Sequence, residues 1–313
     1  MSERVVGVIG GGRWGRALAR AVTTAGNHAL LCTRRSGDLA ADGIEMTESL
    51  GDVGKRCTVV LVAVPSLVAR AVARTLGDHI DGRHLLVHAV RGLSHEALQP
   101  LSDVLREETP TRRVGALGGP VLADDLLEAR PAAIASGSRY VEVLRAIRGA
   151  LESPSLRVYE TSDIVGLEWA SAMVGAIAVA LGFARSWGIS PGLLAALMTR
   201  AMHEAARIGV AAGAEEKTFF GLAGFGDLMA AMGQDDRPEV RLGRAIAEGV
   251  PPHQARAASP VRIEAFELVP RVVEFAKSQG VRAPIFEALQ ALMTGEVARD
   301  DVLQGLMTTA HVR

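Results

Sequence analysis

A short run near the start of the chain, residues 5–35, most constrains what this sequence can fold into. Val5-Val6-Gly7-Val8-Ile9 is continuously apolar, as a central parallel strand buried on both faces must be. It runs directly into Gly10-Gly11-Gly12-Arg13-Trp14-Gly15, which fits the spacing G-x-G-x-x-G. In such a turn Gly10 permits the tight bend, Gly12 lets the backbone approach a pyrophosphate, and Gly15 lets the following helix pack closely on the strand. Residues 16–24 continue with Ala17, Leu18, Ala21 and Val22 at helical spacing, Gly26 ends the helix, and Ala29-Leu30-Leu31-Cys32 forms the next strand. A glycine-rich surface turn would carry the same letters, but strand, turn, helix and strand in this order read as a dinucleotide cradle.

At 313 residues, with 49% hydrophobic residues, the chain suits two domains with a substantial core. A net charge of -1 offers no overall attraction to nucleic acid or an anionic membrane. Cys32 and Cys57 are the only cysteines, and each lies in or beside an apolar run. They read as reduced core residues rather than a disulfide or a metal site, and no metal is expected. No secretory signal precedes the first strand, so the expected location is cytoplasmic.

After the second strand comes Thr33-Arg34-Arg35, where a fold that prefers NAD usually carries an acid for the ribose hydroxyls. Two guanidiniums favour a 2′-phosphate instead, which points to NADP(H), with NAD(H) as the alternative. A solvated arginine pair is the reading in which neither side chain touches a ligand. Residues 58–64 make another strand, closed by Pro65-Ser66 where a ligand would meet the carboxyl edge of a sheet. Leu85-Leu86-Val87 leads to His88-Ala89-Val90-Arg91-Gly92, a second strand end carrying polar groups. Further strand-like runs cover 114–117, 132–135 and 157–159, with Gly118-Gly119-Pro120 as a sharp turn. Strands and helices alternate to about residue 160, as in a doubly wound, mostly parallel sheet.

From Ser162 strand signals almost vanish. Ser162-Asp163 caps a helix over 164–187 in which Glu168 is the only charge before Arg185. Such a run is long enough to cross a bilayer. It lacks a basic anchor at its start and follows an α/β unit, so the expectation is the central helix of an all-α domain, with no membrane span. Its many small residues would let neighbours approach closely, and 191–209, 260–279 and 284–294 supply helical neighbours. The expected division is 1–161, an α/β dinucleotide-binding domain, and 162–313, an all-α domain.

Between those helices lies Gly221-Leu222-Ala223-Gly224-Phe225-Gly226-Asp227-Leu228, and here the chain resembles the NAD(P)-dependent glycerol-3-phosphate dehydrogenases. The resemblance also takes in the Gly10 to Gly15 turn with Trp14, Ala63-Val64-Pro65-Ser66, Arg91-Gly92-Leu93, Gly119-Pro120 with Ala123, Gly166-Leu167-Glu168 and Ala283-Pro284-Ile285. It implies an N-terminal Rossmann domain, a helical C-terminal domain with a cleft between the two, a homodimer, and a small phosphorylated substrate. The implied reaction is hydride transfer between NAD(P)H and dihydroxyacetone phosphate, giving glycerol 3-phosphate. Read with the glycine turn and the arginine pair, the expected cofactor contacts are Gly10, Gly12, Arg13, Trp14, Gly15, Arg34, Arg35 and Pro65. Arg237 joins them as the arginine of a later phosphate and cofactor motif.

The departures from the family pattern fall on the chemistry. Arg91 stands where the family has a lysine in a Lys-Gly motif, and Val174 and Gly175 stand where it has Lys-Asn on the first long helix of the second domain. Asp227 keeps the aspartate of the Gly-Asp-Leu motif. In the later Ser-Arg-Asn motif the chain reads Arg237-Pro238-Glu239, with the arginine offset by one position and a glutamate in place of asparagine. Reducing a ketone requires hydride on carbon and a proton, or strong positive potential, on oxygen, and Val174 supplies neither. Arg91 and Asp227 are therefore the remaining catalytic candidates. His88 is a possible proton source, and a cap role is the plain alternative for Asp227. The sequence supports a family reductase with a depleted site, or one for another small substrate. A nucleotide-binding sensor or interaction module that has lost the reaction is the other reading.

Overall fold

The computed structural model describes residues 4–34, 43–91, 93–94 and 98–296. Arg35 and Gly92 lie outside them. The chain divides into two compact units, the first made of Met1–Ser94 with Gln99–Trp169 and the second continuing from Ala170. The division falls inside a helix, after Trp169, rather than ahead of that helix at residue 161.

The first unit runs β1 (Val5–Ile9), α1 (Arg13–Thr24), β2 (His28–Cys32), β3 (Ile44–Thr47), α2 (Leu50–Arg56), β4 (Val59–Val62), α3 (Ser66–Gly77) and β5 (Leu85–His88). A two-residue pair follows, β6 (Leu93–Ser94) and β7 (Gln99–Pro100). Then come α4 (Leu101–Glu108), β8 (Val114–Gly118), α5 (Ala123–Leu127), β9 (Ala132–Gly137), α6 (Val141–Leu151) and β10 (Leu156–Thr161). The main sheet has the order β10-β9-β8-β5-β4-β1-β2-β3. Pairing is parallel throughout except between β8 and β9, which are antiparallel. The doubly wound, mostly parallel sheet read from the sequence is therefore present.

Alternation along the strands assigns side chains to two cores. Val59 and Leu61 pack with α1 and α6 residues such as Leu18, Val22 and Ile147, whereas Val60 and Val62 pack with Val53, Leu76 and Leu105 from α2, α3 and α4. Helices on both faces require this continuous apolar lettering. Cys32 and Cys57 are free and buried, and burial pushes the Cys57 thiol up to about 11.

The strand expected over 58–64 ends at Val62, because Pro65 caps α3 and the chain turns ahead of it. Residues 44–47 form an edge strand that sequence reading missed, since none of its four residues is buried.

In the second unit α7 (Ile164–Ser186) continues past Trp169 and is followed by α8 (Pro191–Ala211), α9 (Glu216–Phe219), a π-helical turn (Leu222–Gly226), α10 (Asp227–Met232), α11 (Pro238–Ala247), α12 (Pro252–Ala257), α13 (Ala265–Ser278) and α14 (Pro284–Thr294). No strand occurs among the described residues after Thr161. Among those residues α7 alone is long and apolar enough to cross a membrane, and 89% of its most apolar stretch is buried within the protein. Its small residues do permit close approach, but to a helix that sequence reading missed. A Cβ on Gly182 would lie 2.0 Å from the Val240 carbonyl oxygen of α11, and one on Gly243 would lie 2.0 Å from that of Val179. The helix expected from Pro260 begins instead at Ala265.

Glu204 on α8 is buried, and its two oxygens accept the backbone N–H groups of Ile285 and Phe286 at 3.1 and 2.7 Å, closing the start of α14. Burial outweighs those bonds and raises the carboxyl from its ordinary 4.5 to about 7. A folded pKa raised above the unfolded one gives stability that is fully present below about 4.5 and lost as pH rises through about 7. The difference corresponds to roughly 3 kcal/mol. Urea unfolding at about pH 5 and about pH 8 is expected to show this loss, and Glu204→Gln to flatten it while losing about 1–3 kcal/mol from the N–H left without an acceptor.

Candidate functional site

The first component is the carboxyl edge of the sheet in the first unit. β1 lies between β4 and β2, so the chain moves to one side of β1, returns to the other at β4, and leaves a topological switch point at the end of β1. The glycine turn sits there. Gly10 has φ +122, and a Cβ on it would stand 2.3 Å from the Ala63 carbonyl oxygen. A Cβ on Gly15 would lie 1.8 Å from the Gly10 carbonyl oxygen. Both positions therefore demand glycine for the fold itself. Gly12 differs: it is exposed, has φ -71 and ψ 173, and a Cβ there would meet nothing within 4 Å. The fold does not need glycine at Gly12, whereas a ligand approaching the backbone does.

Gly12 precedes α1, whose first turn holds no acidic residue and whose N-cap makes no side-chain bond to the helix. The N–H groups that open a helix, with the positive end of a twelve-residue helix, fit a pyrophosphate.

The other expected cofactor residues are placed as follows. Trp14 donates its indole N–H to the Ala89 carbonyl at 2.7 Å, tying the start of α1 to the end of β5. Arg13 is exposed and pairs with Asp124 on α5. Pro65 is the residue ahead of α3, and the backbone just before it borders the turn, with Ala63 N–H donating to the Ile9 carbonyl at 2.8 Å. Arg34 is exposed immediately beyond β2, and Arg91 is exposed beyond β5. Two further side chains brace the turn. Arg16 donates to the Gly11 carbonyl at 3.0 Å, and Thr33 fills the space a Cβ on Gly11 would need, at 1.9 Å.

His88 ends β5 and is 2% exposed. Its Nε2–H donates to Oε1 of Glu168 at 2.8 Å, and the same carboxylate accepts the Ser102 N–H at 2.8 Å and hydroxyl at 2.7 Å. His88 Nδ1 has no partner. A lone charge in an apolar helix run signals a buried partner, and this network is where Glu168 finds it. Glu168→Ala would orphan three donors and is expected to cost about 3–5 kcal/mol in chemical denaturation.

The second component lies in the second unit. Asp227 opens α10 and is 2% exposed; Arg237, just ahead of α11, is 5% exposed. Arg237 donates from Nη1 to Oδ1 of Asp227 at 3.1 Å and from Nε to Oε2 of Glu239 at 3.3 Å. Glu239 Oε1 would lie 3.7 Å from a Cβ on Gly175 of α7. Val174, next to it, is wholly buried. The structure thus brings Asp227, Arg237, Glu239 and Gly175 together, with Asp227 committed to an arginine.

A doubly wound sheet with a glycine turn at its switch point, followed by a helical unit, defines a dinucleotide-binding protein of two units. A family model described as the N-terminus of NAD-dependent glycerol-3-phosphate dehydrogenase matches residues 36–143, and its C-terminal counterpart matches 163–304. A glycerol-3-phosphate dehydrogenase (NAD(P)+) of Caulobacter vibrioides is 30% identical over 325 residues, covering 98% of each chain. The protein of the same name from Bradyrhizobium diazoefficiens is 30% identical over 319 residues, 97% of this chain and 96% of its own. The crystal structure of glycerol-3-phosphate dehydrogenase from Coxiella burnetii superposes with a TM-score of 0.87 at 22% identity, over 98% of this chain and 99% of that one. The chain belongs to the NAD(P)-dependent glycerol-3-phosphate dehydrogenase family.

Proposed function

We propose that this protein binds NADP(H) in the first unit and reduces dihydroxyacetone phosphate very slowly or not at all. The observation that carries the reading is the contrast between its two components. The Gly10, Gly12 and Gly15 backbone supports a dinucleotide cradle, since a Cβ is barred at Gly10 and Gly15 and the approach to Gly12 is open. At the α7 position where the family pattern has its lysine, a buried isopropyl group stands instead. When bound, a reduced nicotinamide supplies the hydride. The chain must then stabilise and protonate the developing alkoxide. Val174 holds no proton, Asp227 is engaged by Arg237, and an arginine such as Arg91 is a poor acid at neutral pH. His88 offers only Nδ1, on a side chain 2% exposed. A missing general acid costs about a hundred- to ten-thousand-fold in rate.

The second reading, a nucleotide-binding protein without turnover, is favoured by the same contrast and differs only in whether a residual rate exists. NADPH oxidation measured across small phosphorylated and unphosphorylated ketones separates the two. Preference for NADP(H) over NAD(H) rests on Arg34, exposed beyond β2 with no acid beside it at Thr33. Calorimetric titration is expected to show NADPH binding at least tenfold tighter than NADH, and Arg34→Ala to remove most of that difference. Equal affinities in the wild type would assign the arginine to solvent.

A further inference from the structure

Arg16 follows the last glycine of the turn, on the half-buried side of α1. Its Nε–H donates to the Gly11 carbonyl at 3.0 Å, which holds the guanidinium against the turn, and its Nη1 and Nη2 meet no acceptor among the described residues. Arg13 differs, since its Nε and Nη2 are both taken by Asp124 on α5. Two contacts place Arg16 on the β2 side of α1. Thr33, just beyond β2, packs on Gly11 so closely that its hydroxyl oxygen would lie 1.9 Å from a Cβ there, and the exposed Arg34 follows it. Arg16, Arg20 and Thr23 share one face of α1 by helical spacing. The Thr23 methyl would lie 3.1 Å from a Cβ on Gly43, which immediately precedes β3. That face therefore looks towards β2 and β3.

We infer that Arg16 is a cofactor-specificity residue, receiving the 2′-phosphate of NADP(H) on its Nη1 and Nη2 edge beside Arg34. In a doubly wound fold the adenosine ribose lies at the end of β2, where an arginine accommodates the 2′-phosphate. Two parallel N–H groups match two phosphate oxygens, and a phosphate carrying close to two charges suits two guanidiniums. The bond to Gly11 holds Arg16 in advance, so it surrenders less freedom on binding than Arg34, which lies exposed beyond β2. NADH offers this edge a ribose hydroxyl and no charge. Because both arginines hold one phosphate, their contributions are coupled, and removing either loses most of the preference. The inference rests on the proposed preference for NADP(H) and adds the side chain, on α1 rather than after β2, that completes its recognition.

The test measures binding alone. Full-length protein is titrated calorimetrically with NADPH and with NADH, as wild type, Arg16→Gln and Arg16→Ala, with thermal melts to check folding. Glutamine places an N–H where Nε stands, so it keeps a donor for the Gly11 carbonyl and removes the charged edge; alanine removes both. Both variants are expected to bind NADPH about tenfold more weakly and NADH within about twofold of wild type. A folded Arg16→Gln protein that loses NADPH and NADH affinity equally overturns the inference, because the side chain would then only brace the turn. So does a folded Arg16→Gln or Arg16→Ala protein with unchanged NADPH affinity, which would leave the 2′-phosphate to Arg34 and the proposed preference intact. Equal NADPH and NADH affinities in the wild type would instead remove the preference itself, and the inference with it.

Discussion

Gly12→Val is expected to abolish dinucleotide binding and to leave the protein folded. The two effects separate because of what surrounds this glycine. Its backbone, at φ -71 and ψ 173, lies in the extended region that a β-branched residue prefers, and a Cβ there touches nothing. The folded chain therefore tolerates valine, with a melting temperature within a few degrees of wild type. A pyrophosphate approaching the N-terminus of α1 meets the new methyl groups, and calorimetry should show NADPH affinity reduced by more than about a hundredfold. Gly15→Val makes the control. Its Cβ would sit 1.8 Å from the Gly10 carbonyl oxygen, so α1 must move off the turn, and loss of binding there should come with loss of stability. If Gly12→Val binds NADPH normally, the pyrophosphate does not lie at this turn.

Val174→Lys with Gly175→Asn is expected to raise reduction of dihydroxyacetone phosphate by about a hundredfold or more over wild type, the increment a positioned general acid supplies. Lysine restores an ammonium able to stabilise and protonate the alkoxide. Val174 is wholly buried, which brings two consequences. The ammonium would be desolvated, which favours its neutral form and lowers its pKa, so the gain should show a pH optimum below that of an exposed lysine. Packing strain would cost about 1–3 kcal/mol, so melts must accompany the kinetics. Gly175→Asn brings an amide towards Glu239 Oε1, at present 3.7 Å from the Cβ position, and its N–H groups suit that carboxylate. Adding Glu239→Asn should then lower KM for the phosphorylated substrate while leaving the rise in kcat to Lys, because one change acts on binding and the other on the transition state.

The fold was legible wherever one residue pattern had only one physical use. Val5–Ile9 is apolar without alternation, which only a strand covered on both faces needs, and the three glycines at Gly10, Gly12 and Gly15 specify a turn before a helix. The all-α second unit followed from the loss of strand signals after Thr161. Direction was not legible: the antiparallel pairing of β8 with β9 leaves no mark on periodicity, since either direction buries the same faces. The edge strand Ile44–Thr47 was missed because it buries nothing, and α11 because its apolar face is short and its close packing depends on glycines rather than large residues.

Of the candidate site, the glycine turn could be read in one stretch of chain because turn geometry is local. The charged group could not. Asp227, Arg237 and Glu239 are ten and two residues apart, and their pairing depends on where α10 and α11 end up, which no local rule gives. The same holds for the Glu168 network, whose partners His88 and Ser102 lie 80 and 66 residues away.

The central question is whether the protein as it stands can protonate an alkoxide. Stopped-flow oxidation of NADPH by the wild-type protein at saturating dihydroxyacetone phosphate, beside the Caulobacter vibrioides relative under the same conditions, measures this directly. The predicted result is cofactor binding with a hydride-transfer rate at least about a hundredfold below the relative's. A wild-type rate within a few-fold of the relative's would contradict the account and return the chemistry to Arg91 and His88.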